Sequence, residues 1–356
     1  MMPSLFDPLT LGGLRLRNRI VMAPLTRSHA DPDGRVPNAL MAEYYVQRAS
    51  AGLIISEATS VTPMGVGYPD TPGIWSDEQI VGWRRITDAV HAAGGCMVAQ
   101  LWHVGRISDP VHLGGALPVA PSAIAPLGHV SRLHPARPYV TPRALTTEEI
   151  PAVVAAFRRG AENAKKAGFD GVEVHGANGY LIDQFLEDGS NRRTDAYGGP
   201  IENRARLMLE VTDACIGVWG ASRVGMHLSP RCENNSMGDS DPAATFGYVA
   251  AEMGRRNIAF LFLRERVDPP RLAPRLKAIF GGKVIANEKF TQVGAEKVLA
   301  AGEADAVAFG MLFIANPDLP RRFAEGAPLN TPDPSTFYTP GRHGYTDYPT
   351  LETATA

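Results

Sequence analysis

The residues best suited to chemistry crowd into one short stretch, HGANGY, at His175 to Tyr180. His175 and Asn178 stand three apart on a turn, close enough for both to donate to one acceptor oxygen. The intervening glycines let backbone come near a ligand. Tyr180 supplies a proton that is still in place at neutral pH, since an unperturbed phenol has a pKa of about 10. Two donors on a carbonyl oxygen with an acid beside them match conjugate reduction. The donors stabilise a developing enolate and the acid protonates its α-carbon. Other polar residues fall where apolar runs end: Thr26, Gln100 with Trp102 and His103, His227 with Ser229, and Gly310. Taken singly, each also reads as a cap, a loop partner or packing, and HGANGY as a structural turn. Their common placement favours a site.

Such residues need a frame that brings run ends together. The apolar runs are Ile20–Leu25, Leu53–Ala58, Cys96–Leu101, Gly171–His175, Val224–Ser229, Ile258–Leu263, Lys283–Ala286 and Ala306–Phe309. They are short and apolar on both faces, like strands of a covered parallel sheet. Helical patterns separate them: Asn38–Ser50, Asp77–Ala93, Thr147–Ala167, Pro200–Trp219, Asp241–Arg255, Pro269–Phe280, Thr291–Ala301 and Pro317–Glu325. Thr147 and Asn316 read as N-caps, and Gly94, Gly168 and Gly302 as C-terminal stops. This rhythm predicts an α/β fold, a (β/α)8 TIM barrel forming a single domain over 1–356. A doubly wound sheet is the alternative, but no GxGxxG follows the first run. Leu5–Arg19, with Gly12-Gly13 at its turn, reads as a hairpin plugging the barrel floor. Residues 102–146, rich in Pro, Gly and His, form a long insertion after strand three, read as a lid. The loops after strands seven and eight, IANEKFT and AFGMLFIANPD, lie where such barrels bind phosphate, and Gly310 permits close backbone approach there.

Composition narrows the partners. A formal charge of −2 carries no nucleic-acid or polybasic membrane footprint. No apolar run approaches the length of a membrane span, and the N-terminus does not read as a signal peptide. Cys96, Cys215 and Cys232 are too scattered for a disulfide framework, zinc ribbon or iron–sulfur cluster, and point to a reducing cytoplasm. His103, His175 and His227 lack carboxylates at ligand spacing, so no metal is expected. A phosphate-ester lyase or isomerase on the same barrel would want a Schiff-base lysine or an acid pair at strand ends, and neither is seen.

Over nearly its whole length the chain resembles the old yellow enzyme family. The matching segments are APLTR (Ala23–Arg27), AEYYVQRAS (Ala42–Ser50), IISEAT (Ile54–Thr59), YPDTPGIW (Tyr68–Trp75) and QLWHVGR (Gln100–Arg106). HGANGYLIDQFL (His175–Leu186) runs into DGSNRRTDAYGG and IENR, and FGMLFIANPDL (Phe309–Leu319) and GYTDYPTL (Gly344–Leu351) complete the set. The resemblance implies non-covalent FMN, reduction by NADPH or NADH, and hydride transfer to the β-carbon of an enone, enal or maleimide. It implies that Thr26 bonds the flavin ring, with Pro24, Leu25, Ala58 and Gln100 along it. His175 and Asn178 would hold the substrate oxygen, Tyr180 donate the proton, and Tyr68, Trp102 and Tyr345 line the substrate face. Backbone near Asn287 and Gly310 would hold the phosphate. The sequence departs from the family at three places. His227 stands where the family usually has arginine at the flavin's pyrimidine edge. Met311 replaces a phosphate-clamping arginine, and Glu288-Lys289 a frequent glycine pair. Arginine offers a permanent charge and a bidentate fork, whereas His227 would help an anionic ring most when protonated, near its ordinary pKa of about 6.5. Lys289 or Arg231 could restore the phosphate charge. These departures sustain a second reading, a flavin- or ligand-binding barrel with impaired redox function. The partner expected is a small activated alkene, and the protein a monomer or homo-oligomer.

Overall fold

A computed structural model describes residues 2–354. Eight parallel strands close on themselves: β1 (Ile20–Met22), β2 (Leu53–Ile55), β3 (Met97–Trp102), β4 (Gly171–His175), β5 (Val224–Leu228), β6 (Phe260–Arg264), β7 (Val284–Asn287) and β8 (Ala306–Phe309). β8 pairs with β1 through Val307–Ile20, and β2 with β3 through Ile54–Met97, so the ring has no open edge. The main helices between strands are α1 (Ala39–Val46), α2 (Asp77–Ala92), α3 (Ile150–Lys166), α4 (Arg206–Trp219), α5 (Pro242–Arg256), α6 (Ala273–Phe280), α7 (Gln292–Ala300) and α8 (Leu319–Glu325). The period-2 alternation of strand side chains sorts the apolar residues into two bodies. Val172, Val174, Met226 and Leu228 point outward and pack with the helices. Val21, Leu53, Ile55, Val98, Phe260, Phe262 and Ile285 point inward and fill the barrel. Leu9, Leu11, Leu14 and Leu16 join that inner body from a hairpin of two short strands, Leu9–Leu11 and Leu14–Leu16. The Gly13 N–H donates to Ser222 O at 2.7 Å, just below β5, so the hairpin does seal the floor.

Several boundaries differ from the sequence reading. β1 and β2 stop three residues short of Leu25 and Ala58, leaving those segments as irregular chain. β6 begins and ends later than expected, so Arg264 closes it. Thr147 is not a cap: α3 starts at Ile150, and the Thr147 hydroxyl donates to Asp195. Asn316 is not one either. It follows a short helix, Met311–Ala315, and its amide donates to Leu312 O and Asn330 O, while α8 starts at Leu319. Pro200–Trp219 is broken at Ala205 into Ile201–Arg204 and α4. Gly94, Gly168 and Gly302 all take positive φ (77°, 83°, 69°) as left-handed stops. The long segment after β3 carries a two-residue parallel pair, Val119–Ala120 with Arg143–Ala144. It is tied down by Arg106, which donates to Ile124 O, Asn235 O and Ser236 O.

Candidate active site

Inward-pointing residues at the C-terminal ends of β3, β4 and β5 meet at the barrel mouth. His175 and His227 are register partners on β4 and β5, and their rings stack at 5.0 Å. The Gln100 amide Nε2 donates to Glu173 Oε2 at 2.6 Å and lies 3.1 Å from His227 Nδ1. With Nδ1 accepting, the His227 proton sits on Nε2, which is buried and has no partner. His175 Nδ1 is likewise buried and unpartnered. Burial, then the nearby Arg264 charge, pushes the His227 pKa down to about 3. His175 is held well below its ordinary value by burial, then by His227 and Arg264. The expectation that His227 titrates near neutrality is therefore not met: it is a neutral donor across the ordinary range.

The 175–180 turn is pinned from several sides. Asn178 is left-handed (φ 60°), a conformation asparagine tolerates better than most residues. Its N–H donates to Ser229 Oγ at 2.7 Å, and the Gly179 N–H to Asp183 Oδ2 at 2.8 Å. Tyr180 then points across the mouth. Its hydroxyl is 2.9 Å from that of Tyr68, and its ring meets the His175 and Trp102 rings edge-on at 5.1 and 5.0 Å. Tyr68 stacks on Trp102 at 5.5 Å. Tyr139, from the segment after β3, packs on the same cluster, and Arg132 from that segment covers the Tyr68 ring at 5.2 Å. Burial pushes the Tyr180 pKa up to about 12, so its proton is retained at neutral pH.

Tyr345 is placed elsewhere. Its ring is fully buried between His29 (3.7 Å) and Tyr44 (4.2 Å), in a stack distinct from the Tyr68–Trp102 group. Pro24, Leu25 and Thr26 are half-buried just beyond β1, and Ala58 packs with Trp102. Gly310 abuts Leu25: a Cβ there would lie 3.3 Å from Leu25 Cδ2. Asn287 turns its amide onto Ala308 O at 2.9 Å, joining the ends of β7 and β8. Met311 is 47% exposed.

The β7 loop keeps a glycine-like backbone without glycines, with Glu288 at φ 115° and Lys289 at φ 56°. Arg231 is engaged elsewhere, donating to Asp268 O at 2.7 Å and lying near Glu265. Lys289 has no salt bridge among the described residues. Sequence reasoning missed Arg264. Its Nη1 donates to Asn178 Oδ1 at 2.8 Å and its Nε to Glu288 Oε2 at 2.5 Å. The signal was present, since an arginine ending the apolar run FLFLR occupies a strand C-terminus, where barrel sites lie.

Comparisons with known proteins agree with this architecture. Residues 4–330 match the model of the NADH:flavin oxidoreductase / NADH oxidase family. A probable flavin mononucleotide-dependent alkene reductase of Leishmania infantum is 46% identical, covering 97% of each chain. The 12-oxophytodienoate reductase 1 of Oryza sativa subsp. japonica is 44% identical, over 98% of this chain and 93% of its own. Among solved structures, the old yellow enzyme homologue of Zymomonas mobilis superposes with a TM-score of 0.95 at 47% identity, covering 98% of this chain and all of that one. Morphinone reductase in complex with tetrahydroNAD gives 0.95 at 50% identity, covering 99% of both. The chain belongs to the old yellow enzyme family of NAD(P)H-dependent, FMN-dependent oxidoreductases. Among the described residues, no helix is long and apolar enough to cross a membrane.

Proposed function

We propose that this chain reduces activated alkenes such as enones, enals and maleimides at the expense of NAD(P)H. The net change is addition of hydride to the β-carbon and a proton to the α-carbon, with NAD(P)H oxidised to NAD(P)+. One observation carries the reading: the His175 ring meets the Tyr180 ring edge-on at 5.1 Å, the Tyr180 hydroxyl is bonded to that of Tyr68, and Asn178 lies on the turn between them. His175 and Asn178 hold the substrate's activating oxygen and take up its growing negative charge. Tyr180 gives its proton to the α-carbon. Its raised pKa suits this role, because a carbon base is far stronger than a phenolate and the hydroxyl must not ionise beforehand. Tyr68 and Trp102 flank that hydroxyl and exclude water, with residues 102–146 as cover.

FMN, when bound, would supply the two-electron chemistry linking nicotinamide to alkene. The residues present fit its ring. His227 Nε2–H is a buried donor without a partner, which a ring oxygen or nitrogen would satisfy. Pro24, Leu25, Thr26, Ala58 and Gln100 would frame the ring. At the phosphate end, backbone around Asn287, Gly310 and Met311 and the Lys289 ammonium would do the holding. Three free thiols suit a reducing cytoplasm.

Anaerobic titration tests the reading. The purified protein is expected to be yellow, to bleach with NADPH or NADH, and to regain colour on adding cyclohexenone or N-ethylmaleimide. A colourless protein that binds no FMN, or one that bleaches but is not reoxidised by either alkene, would sink it in favour of a ligand-binding barrel with impaired redox function.

A further inference from the structure

We propose that Arg264 is a positioning residue for the substrate-oxygen site: anchored at one end by Glu288, it holds the Asn178 amide so that Nδ2 faces the reacting oxygen. The inference rests on the reading of His175 and Asn178 given above.

An amide side chain can sit in either of two orientations. Its oxygen and its NH2 group have nearly the same shape, and only the NH2 group donates. Nothing in the turn itself selects between them. Asn178 uses its N–H on Ser229 and its carbonyl oxygen on Asn235 Nδ2, and neither bond involves the side chain. Arg264 does select. A guanidinium carries donors only, so whatever faces Nη1 at 2.8 Å must accept, and that is Oδ1. Nδ2 is left to donate. The flipped amide would set donor against donor beside a permanent positive charge. The bond is also charge-assisted and polarises the amide, which makes Nδ2–H a better donor to a developing oxyanion.

The other end of Arg264 explains why an arginine, rather than a shorter donor, serves here. Its planar fork lets Nε bond Glu288 Oε2 at 2.5 Å while Nη1 reaches Asn178. One side chain from β6 thus ties the β7 loop to the β4 turn. Glu288 sits at φ 115°, which side chains other than glycine rarely adopt, and strain of that kind persists where the surroundings over-determine it. The Arg264 side chain is 30% exposed and the Glu288 side chain 16%. Arg264 and Glu288 also line a cavity of about 650 Å³, together with Arg231, Cys232, Phe246 and Lys289 among others.

The test is a double-substitution cycle on the holoenzyme, with 4-chlorophenol as the probe of the oxygen site and affinity read by calorimetry. Arg264→Met should weaken phenol binding about 10-fold, within the usual coupling between residues in contact. Arg264→Lys, which retains a donor but not the fork, should recover part of the loss. Glu288→Gln should weaken binding in the same direction by a smaller factor. In an Asn178→Ala background, the Arg264 and Glu288 substitutions should each change affinity by less than about twofold. If Arg264→Met costs the same in both backgrounds, the guanidinium acts directly on the oxygen and the positioning role is overturned. The same follows if Asn178→Ala weakens phenol while Arg264→Met does not. If Asn178→Ala itself leaves phenol affinity unchanged, the oxygen-site reading fails, and the role given to Arg264 falls with it.

Discussion

The two ends of the barrel mouth are built on different terms. At the β4 end, each unusual backbone position is held by a residue that tolerates it: Asn178 at φ 60° and Gly179 at φ 77°. The side chains there face one another in bonds and ring contacts. At the β7–β8 end the backbone has the same kind of left-handed geometry, but Glu288 and Lys289 occupy it. A carboxylate therefore stands where anion binding is expected, neutralised by Arg264, and Met311 contributes no donor. On the function proposed, the β4 end would depend on side-chain identity, which leaves little room for change. An anion cradle depends largely on backbone N–H groups, and its side chains can drift while the cradle keeps its shape. Drift has a cost: non-glycine residues in sparsely populated backbone regions cost of order 1–3 kcal/mol each.

The largest expected effect lies at the β4 end. Tyr180→Phe removes one hydroxyl and leaves the rings packed, so flavin content and bleaching by nicotinamide should be unchanged. Turnover of cyclohexenone should fall about 10²-fold or more. Wild-type turnover in Tyr180→Phe would remove the contrast, since the chemical end would then tolerate substitution as the other end does.

A smaller effect is expected at the phosphate end. Met311→Arg should tighten FMN about 10-fold by restoring a charge-assisted bond. Glu288→Gly should tighten it by a lesser factor, because it removes both a carboxylate and a strained φ. Recovery of FMN fluorescence on dilution measures both. If neither variant binds FMN more tightly, Lys289 and the backbone amides already saturate that end, and the two regions are equally well made.

The smallest effect concerns Glu173, buried beneath Gln100 and His227. Burial raises its pKa from the ordinary 4.5 to about 8, against a smaller opposing pull from the Gln100 hydrogen bond. A folded-state pKa above the unfolded one means stability fully present below about 4.5 and lost as pH rises through about 8. Glu173→Gln lacks that titration. The difference in Tm, variant minus wild type, should therefore grow from pH 5 to pH 9. A difference that is flat or shrinking over that range would show that Glu173 is ionised in the folded protein.

The alternation of short apolar runs with helical patterns was enough to read the closed barrel, because strand and helix periodicity are local properties of the chain. The HGANGY turn was legible for the same reason, since the residues proposed as donors and acid lie within one turn. The floor plug was legible too, as a hairpin with glycines at its corner. Tertiary structure alone decided the rest. Thr147 and Asn316 have the composition of caps, but each found a partner distant in sequence, Asp195 and Asn330. Tyr345 lies in a motif that resembles the family's, yet its ring is taken by His29 and Tyr44. His227 has an ordinary imidazole pKa in isolation, and only burial beside Arg264 keeps it neutral. Arg264 and Asn178 are 86 residues apart, and their 2.8 Å bond exists because parallel strands in a closed barrel present their C-terminal ends on one rim. Hydrogen bonding and desolvation depend on neighbours in space, and no window of sequence contains those neighbours.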